Sequence, residues 1–480
     1  MITQADLLAI APVVVLAAGI TLVMLQIALR RGVSLTRYTS LLVLAVALAA
    51  CLGVDSGSSH QVTPLLMADS LAALLAAAFC MAAGVCLLLS RDYLPGLSDQ
   101  GDEYYLLMLL ATLGAVVLVY ASHVASLLLG LELLSVALYA LVAYPSRAPE
   151  SAEAAIKYLV LSGGASATML FGFALLYAAS GTMEFLSMAQ GLRASLLGPG
   201  VSAVAVVLVL SGMAFKLSAA PFHMWTPDVY EGSPAPVTAF LATVAKAAPF
   251  VVLLRLFFAA NLFVLPGVVE TLAVLAVLSM VVGNLLALLQ NNLKRMLAYS
   301  SIAHMGYALI VLVVAADPQN RALAGEAGVF YFLAYIPATV AGFGLLALLN
   351  PGGDGADSAD IDHVSGLFWR EPLLAALMLV VLLSLAGIPL TAGFVGKFYI
   401  FVAAVAGGHW VLLAALVLGS AISIFYYLRV IFQMTQKSVT KRPPLALDKA
   451  SLTLVALLTV TILLLGILPQ TLMEHIQHIF

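Results

Sequence analysis

Residues 204–221 read VAVVLVLSGMAFKLSAAP, an apolar run that holds a single charged residue, Lys216, and ends at Pro221. A charge at the centre of a membrane helix costs roughly 2.5–3.5 kcal/mol on insertion scales, so a retained one is a candidate for function. Three further apolar runs carry a charge near their middle: Glu132 in ASLLLGLELLSVALYALV, Lys246 in VTAFLATVAKAAPFVVLL and Lys397 in IPLTAGFVGKFYIFVAA.

The composition is that of an integral membrane protein. Of 480 residues, 63% are hydrophobic and only 9% are charged, which excludes an ordinary water-soluble domain. Backbone groups in lipid must bond within each span, so we predict an all-α polytopic membrane protein of about fourteen transmembrane helices. The fourteen apolar stretches are roughly 7–29, 37–54, 66–89, 103–120, 122–144, 155–180, 201–220, 235–260, 264–289, 293–315, 326–349, 372–400, 409–433 and 450–474.

Basic residues predict how these spans are oriented. Connections with odd numbers hold twelve Lys and Arg, and the even ones hold only Arg193 and Arg321. Because basic residues favour the cytoplasmic side, the odd loops are expected there and both termini outside. No basic residue precedes the first span, which favours a retained helix over a cleaved signal peptide. The twelve are Arg30, Arg31, Arg37, Arg91, Arg147, Lys294, Arg295, Arg370, Lys437, Lys441, Arg442 and Lys449.

Several kinds of chemistry are not expected on this chain. Cys51, Cys80 and Cys86 lie in apolar segments without CxxC spacing, which favours buried small side chains over a metal or cluster site. A Gly-rich nucleotide fingerprint is absent from the sequence, and a net charge of −3 without a basic patch argues against nucleic acid. Any redox or nucleotide chemistry is therefore expected on another chain.

Three short matches recur in order at nearly one offset in the numbering, and they indicate an internal repeat. Tyr139-Ala-Leu-Val matches Tyr307-Ala-Leu-Ile, FGFALL at 171–176 matches AGFGLL at 341–346, and Pro221 matches Pro389. We predict two related five-helix repeats, spans 4–8 and 9–13, the second inverted because five is odd. Within one membrane domain, 1–480, the expected parts are three N-terminal helices at 1–90, the repeats at 103–260 and 264–433, and a C-terminal helix at 450–474.

Each predicted repeat contains a helix interrupted by proline. Pro221 cannot donate to the carbonyl of Leu217, and Pro389 likewise frees the carbonyl of Leu385. A kinked structural helix would explain either break alone. Matching breaks, each close in sequence to a buried lysine, instead favour an ion path at the repeat interface.

Glu132 is the one acidic residue at the middle of a span, so it is the natural partner of one of the lysines. Desolvation favours a neutral amine and a nearby carboxylate favours the ammonium, so such a lysine can gain or lose a proton. The residues alone leave open which lysine pairs with Glu132. A static ion pair that fixes helix packing is the alternative, but it would leave two lysines without an acidic partner.

Other polar residues are weaker candidates. His223 and His304 are possible proton relays because imidazole titrates near neutral pH, or else satisfied core histidines. Lys157 either snorkels to the interface or belongs to the path. Three charged residues near span ends are interpreted as interfacial anchors: Arg255, Arg429 and Asp69.

The sequence resembles the antiporter-like membrane subunits of respiratory complex I, the proton-pumping NADH:quinone oxidoreductase. The resemblance runs from span 4 to span 13. Within this family, a length of 480 argues against the branch of larger subunits, and a lysine rather than a glutamate at position 397 argues against a second branch. Lys157 supports the branch that remains. The motifs are LLLGLELLSVALYALVAY at 127–144, EAAIKYLVLSGGASATMLFGFALLY at 153–177, FKLSAAPFHMWTPDVYEGSPAPVTAFLATVAK at 215–246, NNLKRMLAYSSIAHMGY at 291–307 and LAGIPLTAGFVGKF at 385–398.

The resemblance implies a function. Glu132 would pair with Lys216 on the first broken helix, Lys246 would be the central lysine, and Lys397 the outlet lysine. Quinone reduction in neighbouring subunits would drive proton movement here, with FMN, iron–sulfur clusters and quinone bound elsewhere and no redox chemistry on this chain. The implied location is a bacterial inner membrane, with other complex I subunits and lipid as partners.

Three other functions stay open at this point. A subunit of a multi-component Na⁺/H⁺ antiporter or of a membrane-bound hydrogenase would share the same broken-helix lysines, and neighbouring genes would distinguish it. An autonomous carrier of a small solute would need a substrate pocket at the breaks. A structural scaffold would tolerate replacement of the charged residues.

Overall fold

Helices make up most of the chain. The computed structural model describes residues 3–53, 59–91, 93–94, 101–145, 148–350, 359–437 and 448–480. Of the basic residues used to predict topology, Arg147, Lys441 and Arg442 lie outside the described residues.

The described part of the first half holds ten helices and a two-stranded antiparallel sheet. They are α1 Gln4–Ala9, α2 Ala11–Leu29, α3 Val33–Leu52, β1 His60–Thr63, β2 Leu66–Ala68, α4 Ser70–Leu89, α5 Asp102–Tyr120, α6 Val124–Val142, α7 Pro149–Ser180, α8 Phe185–Arg193, α9 Gly198–Lys216 and α10 Trp225–Gly232.

The second half adds eleven helices to the described chain. They are α11 Ala235–Ala242, α12 Val244–Ala260, α13 Val268–Leu288, α14 Leu293–Val314, α15 Arg321–Leu349, α16 Leu367–Arg370, α17 Pro372–Ala386, α18 Ala392–Ala406, α19 Trp410–Thr435, α20 Lys449–Ile467 and α21 Gln470–Gln477. Short 3₁₀ turns occur at Leu262–Val264, Pro318–Asn320 and Ile361–Val364.

The predicted all-α polytopic membrane protein is confirmed. Within the described ranges, thirteen helical segments are long and apolar enough to cross a membrane. The shorter apolar helices α17 and α18 together have the length of a fourteenth crossing. The last predicted stretch, 450–474, is divided: α20 ends at Ile467, and Pro469 precedes α21.

Both predicted breaks are present. α9 ends at Lys216, Ser218 adopts a left-handed φ of 61°, and α10 begins only at Trp225. α17 ends just before Gly387, which has a φ of 85°. A left-handed residue turns the chain away from the helix axis. Gly387 follows Ser218, and Pro389 follows Pro221, by numbers of residues that differ by only one. The two breaks therefore occupy corresponding positions in the two halves of the chain.

A third interruption, which we did not predict, separates α11 from α12. Thr243 has φ −116° and ψ −82°, outside the helical region. Its hydroxyl donates to the Ala239 carbonyl at 2.6 Å, a local bond of the kind that bends helices. Lys246 follows soon after, in the first turn of α12, so this bend helps to set the position of that lysine.

The hairpin β1–β2 was also not predicted, since its strands have only four and three residues. It is tied to α1 by Asp6, which lies 2.6 Å from Nε2 of His60. Asp6 also accepts a hydrogen bond from the Thr3 N–H. That backbone bond, followed by the one from His60, lowers the pKa of the Asp6 carboxyl to about 2.

Two helix pairs pack as closely as backbones allow. A Cβ on Gly114 of α5 would lie 2.6 Å from the Leu134 nitrogen of α6. A Cβ on Gly283 of α13 would lie 2.6 Å from the Ala303 nitrogen of α14. Gly283 follows Gly114 by the same number of residues as Ala303 follows Leu134. The same close helix contact is therefore present in both halves of the chain. This recurrence agrees with two related blocks, while their bounds at 103–260 and 264–433 remain a prediction.

A buried ion pair joins α12 to the start of α4. Arg255 donates to both carboxylate oxygens of Asp69, at 2.8 and 2.5 Å, and only 7% of its side chain is exposed. Asp69 also caps α4 by accepting from the Ala72 N–H. Arg255 and Asp69, interpreted from the sequence as separate interfacial anchors, thus bind each other, and their position at the interface stays a prediction. Arg429 likewise donates to the backbone carbonyls of Leu288 and Gln290.

The Gly114 contact can be tested by substitution. Gly114→Ala is expected to destabilise the protein by about 1–3 kcal/mol, as overpacking does, because backbone atoms of α6 cannot rotate away. Gly163→Ala is the matched control, since a Cβ there meets nothing within 4 Å and alanine favours a helix. Thermal unfolding in detergent measures both, and equal losses of stability would contradict the expectation.

The ion pair predicts a second result. Arg255→Met leaves the Asp69 carboxylate without its partner, which should cost about 3 kcal/mol, the lower end for a buried pair because Asp69 is 20% exposed. Asp69→Asn keeps an oxygen for the α4 cap, so Arg255→Met with Asp69→Asn should regain part of that loss. The measurement is the free energy of unfolding of the two single variants and the double variant, which form a double-mutant cycle. A double variant that is no more stable than Arg255→Met would argue against a stabilising ion pair.

Candidate functional site

Lys216 and Glu132 lie among hydroxyl groups of α6 and α7. Nζ of Lys216 donates to Ser135 Oγ and Ser162 Oγ, each at 2.8 Å, and the residue is 5% exposed. Glu132 accepts a hydrogen bond from Ser166 Oγ at 2.7 Å. No nitrogen–oxygen contact of 4.0 Å or less joins the lysine to the glutamate, both described, but the carboxylate is close enough to interact electrostatically. We call these five residues the Glu132 cluster.

Lys246 is bound by neutral groups. The residue is 1% exposed, and its Nζ donates to Ser301 Oγ at 2.8 Å. The Ser301 hydroxyl is in turn 2.7 Å from the hydroxyl of Tyr335. Nζ also lies 5.3 Å from the ring centroid of Tyr230, within cation–π range. A hydroxyl and a ring face therefore hold this ammonium group.

Lys397 uses the carbonyls that the second break releases. Its Nζ donates to the Leu385 carbonyl at 3.0 Å and to the Ala386 carbonyl at 2.9 Å. It lies 5.2 Å from the ring centroid of Tyr307 and is 5% exposed. The sequence predicted a free carbonyl at Leu385, and that carbonyl accepts from the lysine of the same broken helix.

His304 connects the surroundings of the last two lysines. Its Nδ1 is 2.6 Å from the hydroxyl of Tyr331, and its ring centroid is 5.0 Å from that of Tyr335. The imidazole also lies close to the backbone of Leu385, which Lys397 contacts, and its ring centroid is 5.6 Å from that of Tyr307, the ring that Lys397 faces. We call the following set the His304 cluster: Lys246, Ser301, His304, Tyr331, Tyr335 and Lys397.

The two clusters are built on corresponding positions, related by the same offset as the close contacts of Gly114 and Gly283. The hydrogen bond between Glu132 and Ser166 corresponds to the one between Ser301 and Tyr335. The second cluster lacks a carboxylate, and a serine that contacts Lys246 takes its place. The corresponding residues are Glu132 with Ser301, Ser135 with His304, Ser162 with Tyr331 and Ser166 with Tyr335.

Between the Glu132 cluster and the His304 cluster, the described side chains make no direct hydrogen bond. The structure therefore brings Lys246, His304 and Lys397 together through Ser301 and the rings of Tyr335 and Tyr307, and places Lys216 with Glu132 apart from them. A proton passing from Lys216 to Lys246 would need bridging water.

Lys157 lies in a polar cleft of about 410 Å³ between α7, α10 and α14. Its Nζ is 2.8 Å from both Asp228 and Glu153. Asp228 is also 2.9 Å from Arg295, which binds Glu231 at 2.7 Å. With 43% of its side chain exposed, Lys157 is held by carboxylates at the cleft wall and takes no part in either cluster.

Aromatic rings connect this cleft with the first break. The ring of Trp225, the first residue of α10, stacks on Tyr158 at 4.5 Å and on Phe215 at 5.4 Å. Its Nε1 donates to the Phe215 carbonyl at 3.0 Å, and this carbonyl also accepts from the Ser218 N–H at 2.9 Å. Tyr158 follows Lys157 and Phe215 precedes Lys216, so the two lysines are linked through packed rings.

The two histidine candidates differ. His304 belongs to a cluster, as described above. His223 is 8% exposed, its Nδ1 has no hydrogen-bond partner among the described residues, and its ring lies 6.5 Å from that of Tyr299. The structure thus places His223 beside the first break and outside both clusters.

Sequence reasoning missed the hydroxyl groups that contact the lysines. A serine or tyrosine in a span carries no charge and so gives no strong signal by itself. The spacing of these residues is a usable signal: Ser162 and Ser166 are one helical turn apart on one helix face, and so are Tyr331 and Tyr335. The missed residues are Ser135, Ser162, Ser166, Ser301, Tyr331 and Tyr335.

The cysteines are free and buried. Cys51 of α3 and Cys80 of α4 lie close to each other. Within the described part of the chain, no group of three or more His, Cys, Asp or Glu side chains is arranged to hold a metal ion.

Comparison with known proteins gives consistent results. Residues 121–423 match the family described as NADH:quinone oxidoreductase/Mrp antiporter, TM. The chain is 43% identical, over 99% of its length, to NADH-quinone oxidoreductase subunit N of Ectopseudomonas mendocina (strain ymp), covering 97% of that protein. The resemblance to complex I subunits that the motifs indicated is thereby confirmed.

Solved structures share the fold. Respiratory complex I from Thermus thermophilus with bound aureothin contains a chain 34% identical, with a TM-score of 0.82 and coverage of 96% of this chain and 98% of that one. Two further structures are similar in fold alone. One is an archaeal membrane-bound sulfane sulfur reductase, with 24% identity, a TM-score of 0.87 and coverage of 98% of this chain and 96% of that one. The other is the Mrp complex from Dietzia sp. DQ12-45-1b, with 21% identity, a TM-score of 0.86 and coverage of 99% of this chain and 97% of that one. The chain therefore belongs to the NADH:quinone oxidoreductase/Mrp antiporter family of membrane subunits and, within it, to the subunit N group of NADH-quinone oxidoreductase.

Proposed function

We propose that this chain is a membrane-arm subunit of an NADH:quinone oxidoreductase and that it moves protons through Glu132, Lys216, Lys246 and Lys397. Identity of 43% with a subunit N over nearly the whole chain supports the assignment to the complex. Quinone reduction in other subunits supplies the energy, and FMN, iron–sulfur clusters and quinone are bound there. The chain itself carries out no electron transfer.

One observation carries the proposal. Lys216, Lys246 and Lys397 are each 5% exposed or less, and each donates only to neutral oxygen atoms among its described hydrogen-bond partners. A buried charge without a contacting carboxylate is costly, and an amine can lower that cost by giving up its proton. Groups of this kind are suited to pass a proton onward.

The Glu132 cluster is where coupling would enter. If Glu132 moves into contact with Lys216, the ammonium is stabilised; if it withdraws to Ser166, as it stands here, the proton is favoured to leave. Moving one charge against about 150 mV requires roughly 3.5 kcal/mol. An ion contact at about 4 Å in a medium of effective dielectric constant 20 is worth about 4 kcal/mol. A single contact is therefore sufficient in magnitude.

The His304 cluster supplies the next steps. A proton on Lys246 has a hydrogen-bonded route through Ser301 to Tyr335. His304 lies against Tyr335 and, like Lys397, close to the Leu385 backbone, so it can relay the proton between them. His223 and Lys157 are kept as possible accessory relays on the side of the first break, with Pro221 and Pro389 marking the breaks that bring these groups together.

The partners and location follow from the assignment. The chain would act with neighbouring membrane-arm subunits in a bacterial inner membrane, surrounded by lipid, with both termini outside. The Na⁺/H⁺ antiporter and the hydrogenase-type complex are weaker candidates, because identity with the Mrp and sulfane sulfur reductase chains is only 21% and 24%. Dehydrogenase genes beside this one would support the assignment, and antiporter or hydrogenase genes would oppose it.

Replacement of Lys216 tests the proposal directly. In the assembled enzyme in vesicles, Lys216→Ala should lower proton pumping and coupled NADH:quinone turnover by about tenfold or more, a modest estimate for losing a positioned proton-transfer group. NADH oxidation with an artificial acceptor should persist, because it bypasses the membrane arm.

Lys449→Ala is the matched control, since Lys449 is exposed at the start of α20. Unchanged pumping in Lys216→Ala, Lys246→Ala and Glu132→Gln alike would favour a structural scaffold. Transport by the purified chain alone, without the other subunits, would favour an autonomous carrier.

Tyr335→Phe tests the route after Lys246. It removes one hydroxyl from the Ser301 contact with little change in volume, and the loss of one hydrogen bond of about 1 kcal/mol should slow pumping roughly fivefold. Tyr177→Phe serves as the comparison, because Tyr177 on α7 is 48% exposed. Proton uptake by inverted vesicles at matched NADH oxidation is the measurement, and equal rates for the two variants would exclude Tyr335 from the path.

A further inference from the structure

The two positions that form an ion pair in the first repeat carry charges of reversed sign in the second, where no contact of 4.0 Å or less joins them. Lys157 contacts Asp228 at 2.8 Å, and the residues at the corresponding positions of the second repeat are Glu326 and Lys397. The same offset relates the hydrogen-bonded residues of the two clusters and the two close helix contacts. In the second repeat the acid therefore lies on the intact helix, α15, and the base on the broken one, α18.

Glu326 lies on α15, and α21, which packs against α15, carries another acid, Glu474. Glu326 is the sole Asp or Glu in the helices α14, α15, α17, α18 and α19, all of which are described. The side chain is partly buried and lies close to Gln477 of α21, the C-terminal helix. It also interacts electrostatically with Tyr399, which follows Lys397 closely on α18. Glu326 thus lies between the relay helices and the short helix that covers their end.

The separation from Lys397 is small enough for contact after a side-chain movement. A Cβ on Gly396 would lie 3.4 Å from the Tyr331 Cα, so Lys397 begins at the level of Tyr331 on the facing helix. Glu326 precedes Tyr331 by little more than one turn, a rise of about 7.5 Å along α15. The flexible four-carbon stem of lysine, together with the glutamate side chain, can span this rise.

The geometry points to Glu326 as the carboxylate that accepts the proton from Lys397 and releases it at the end of the bundle covered by α21, an assignment that rests on the proposed function. In this step one N–H bond of the Lys397 ammonium breaks and an O–H bond forms on Glu326. The neutral amine then returns to its relay position, and the carboxylic acid gives its proton to bulk water beside Gln477. In this structure Lys397 is in its relay position, with Nζ hydrogen bonded to the carbonyls of Leu385 and Ala386.

The test is Glu326→Gln in the assembled enzyme, reconstituted in vesicles. Proton pumping per NADH oxidised should fall about tenfold or more, since the amide keeps the shape but cannot carry a proton. Glu326→Asp, which keeps the carboxyl group, should restore much of the rate. Glu270→Gln is the matched control, because Glu270 is an exposed glutamate in the first turn of α13.

Lys397→Ala is measured in parallel so that two failures can be told apart. If Lys397→Ala loses pumping and Glu326→Gln pumps normally, the role of Glu326 is refuted and the proposed function stands. If both variants pump normally, both are refuted. Should Glu326→Gln fail to assemble, Glu326→Ser is measured in its place with the same two readings. A double variant with Lys397→Ala should be no slower than Lys397→Ala alone, whereas additive losses would indicate that Glu326 is not on the Lys397 route.

Discussion

The cost of holding an ammonium group away from water is the constraint on which the rest of this structure depends. Lys216, Lys246 and Lys397 are almost fully buried, yet their hydrogen bonds go to hydroxyl and carbonyl oxygens. Such partners reduce the desolvation cost without cancelling the charge. The second interrupted helix contributes to this, because a regular helix has no free carbonyl to offer where Leu385 and Ala386 offer theirs to Lys397.

A rigid framework surrounds these mobile charges. Gly114 and Gly283 bring their helices to backbone contact, and the Arg255–Asp69 pair fixes α12 against α4. Helices packed at this distance cannot slide without large clashes. We therefore expect the packed helices within each half of the chain to stay in place, and the functional changes there to be rotations of single side chains such as Glu132 and movements of water.

Much of this arrangement could be predicted from the residues, and the exceptions have physical reasons. A lysine or glutamate in an apolar run is conspicuous because of its cost, and Pro221 and Pro389 remove a backbone donor, so the charged sites and both breaks were found. Ser301 and Tyr335 are ordinary in a membrane helix, and their importance is visible only once α14 meets α15. The Arg255–Asp69 pair joins residues 186 positions apart, and neither residue indicates its partner. The bend at Thr243 depends on one side-chain bond that competes with the helix.

The shortage of carboxylates around the buried lysines has a consequence for selectivity. A sodium or potassium ion entering the interior would meet fixed positive charge and find few anionic ligands to replace its hydration shell. In the proposed relay a proton would meet no such barrier, because the group that repels the metal ions would itself bind the proton and pass it to the next group. The same electrostatic field would thus exclude alkali cations that outnumber protons enormously in the surrounding solution, without any narrow filter.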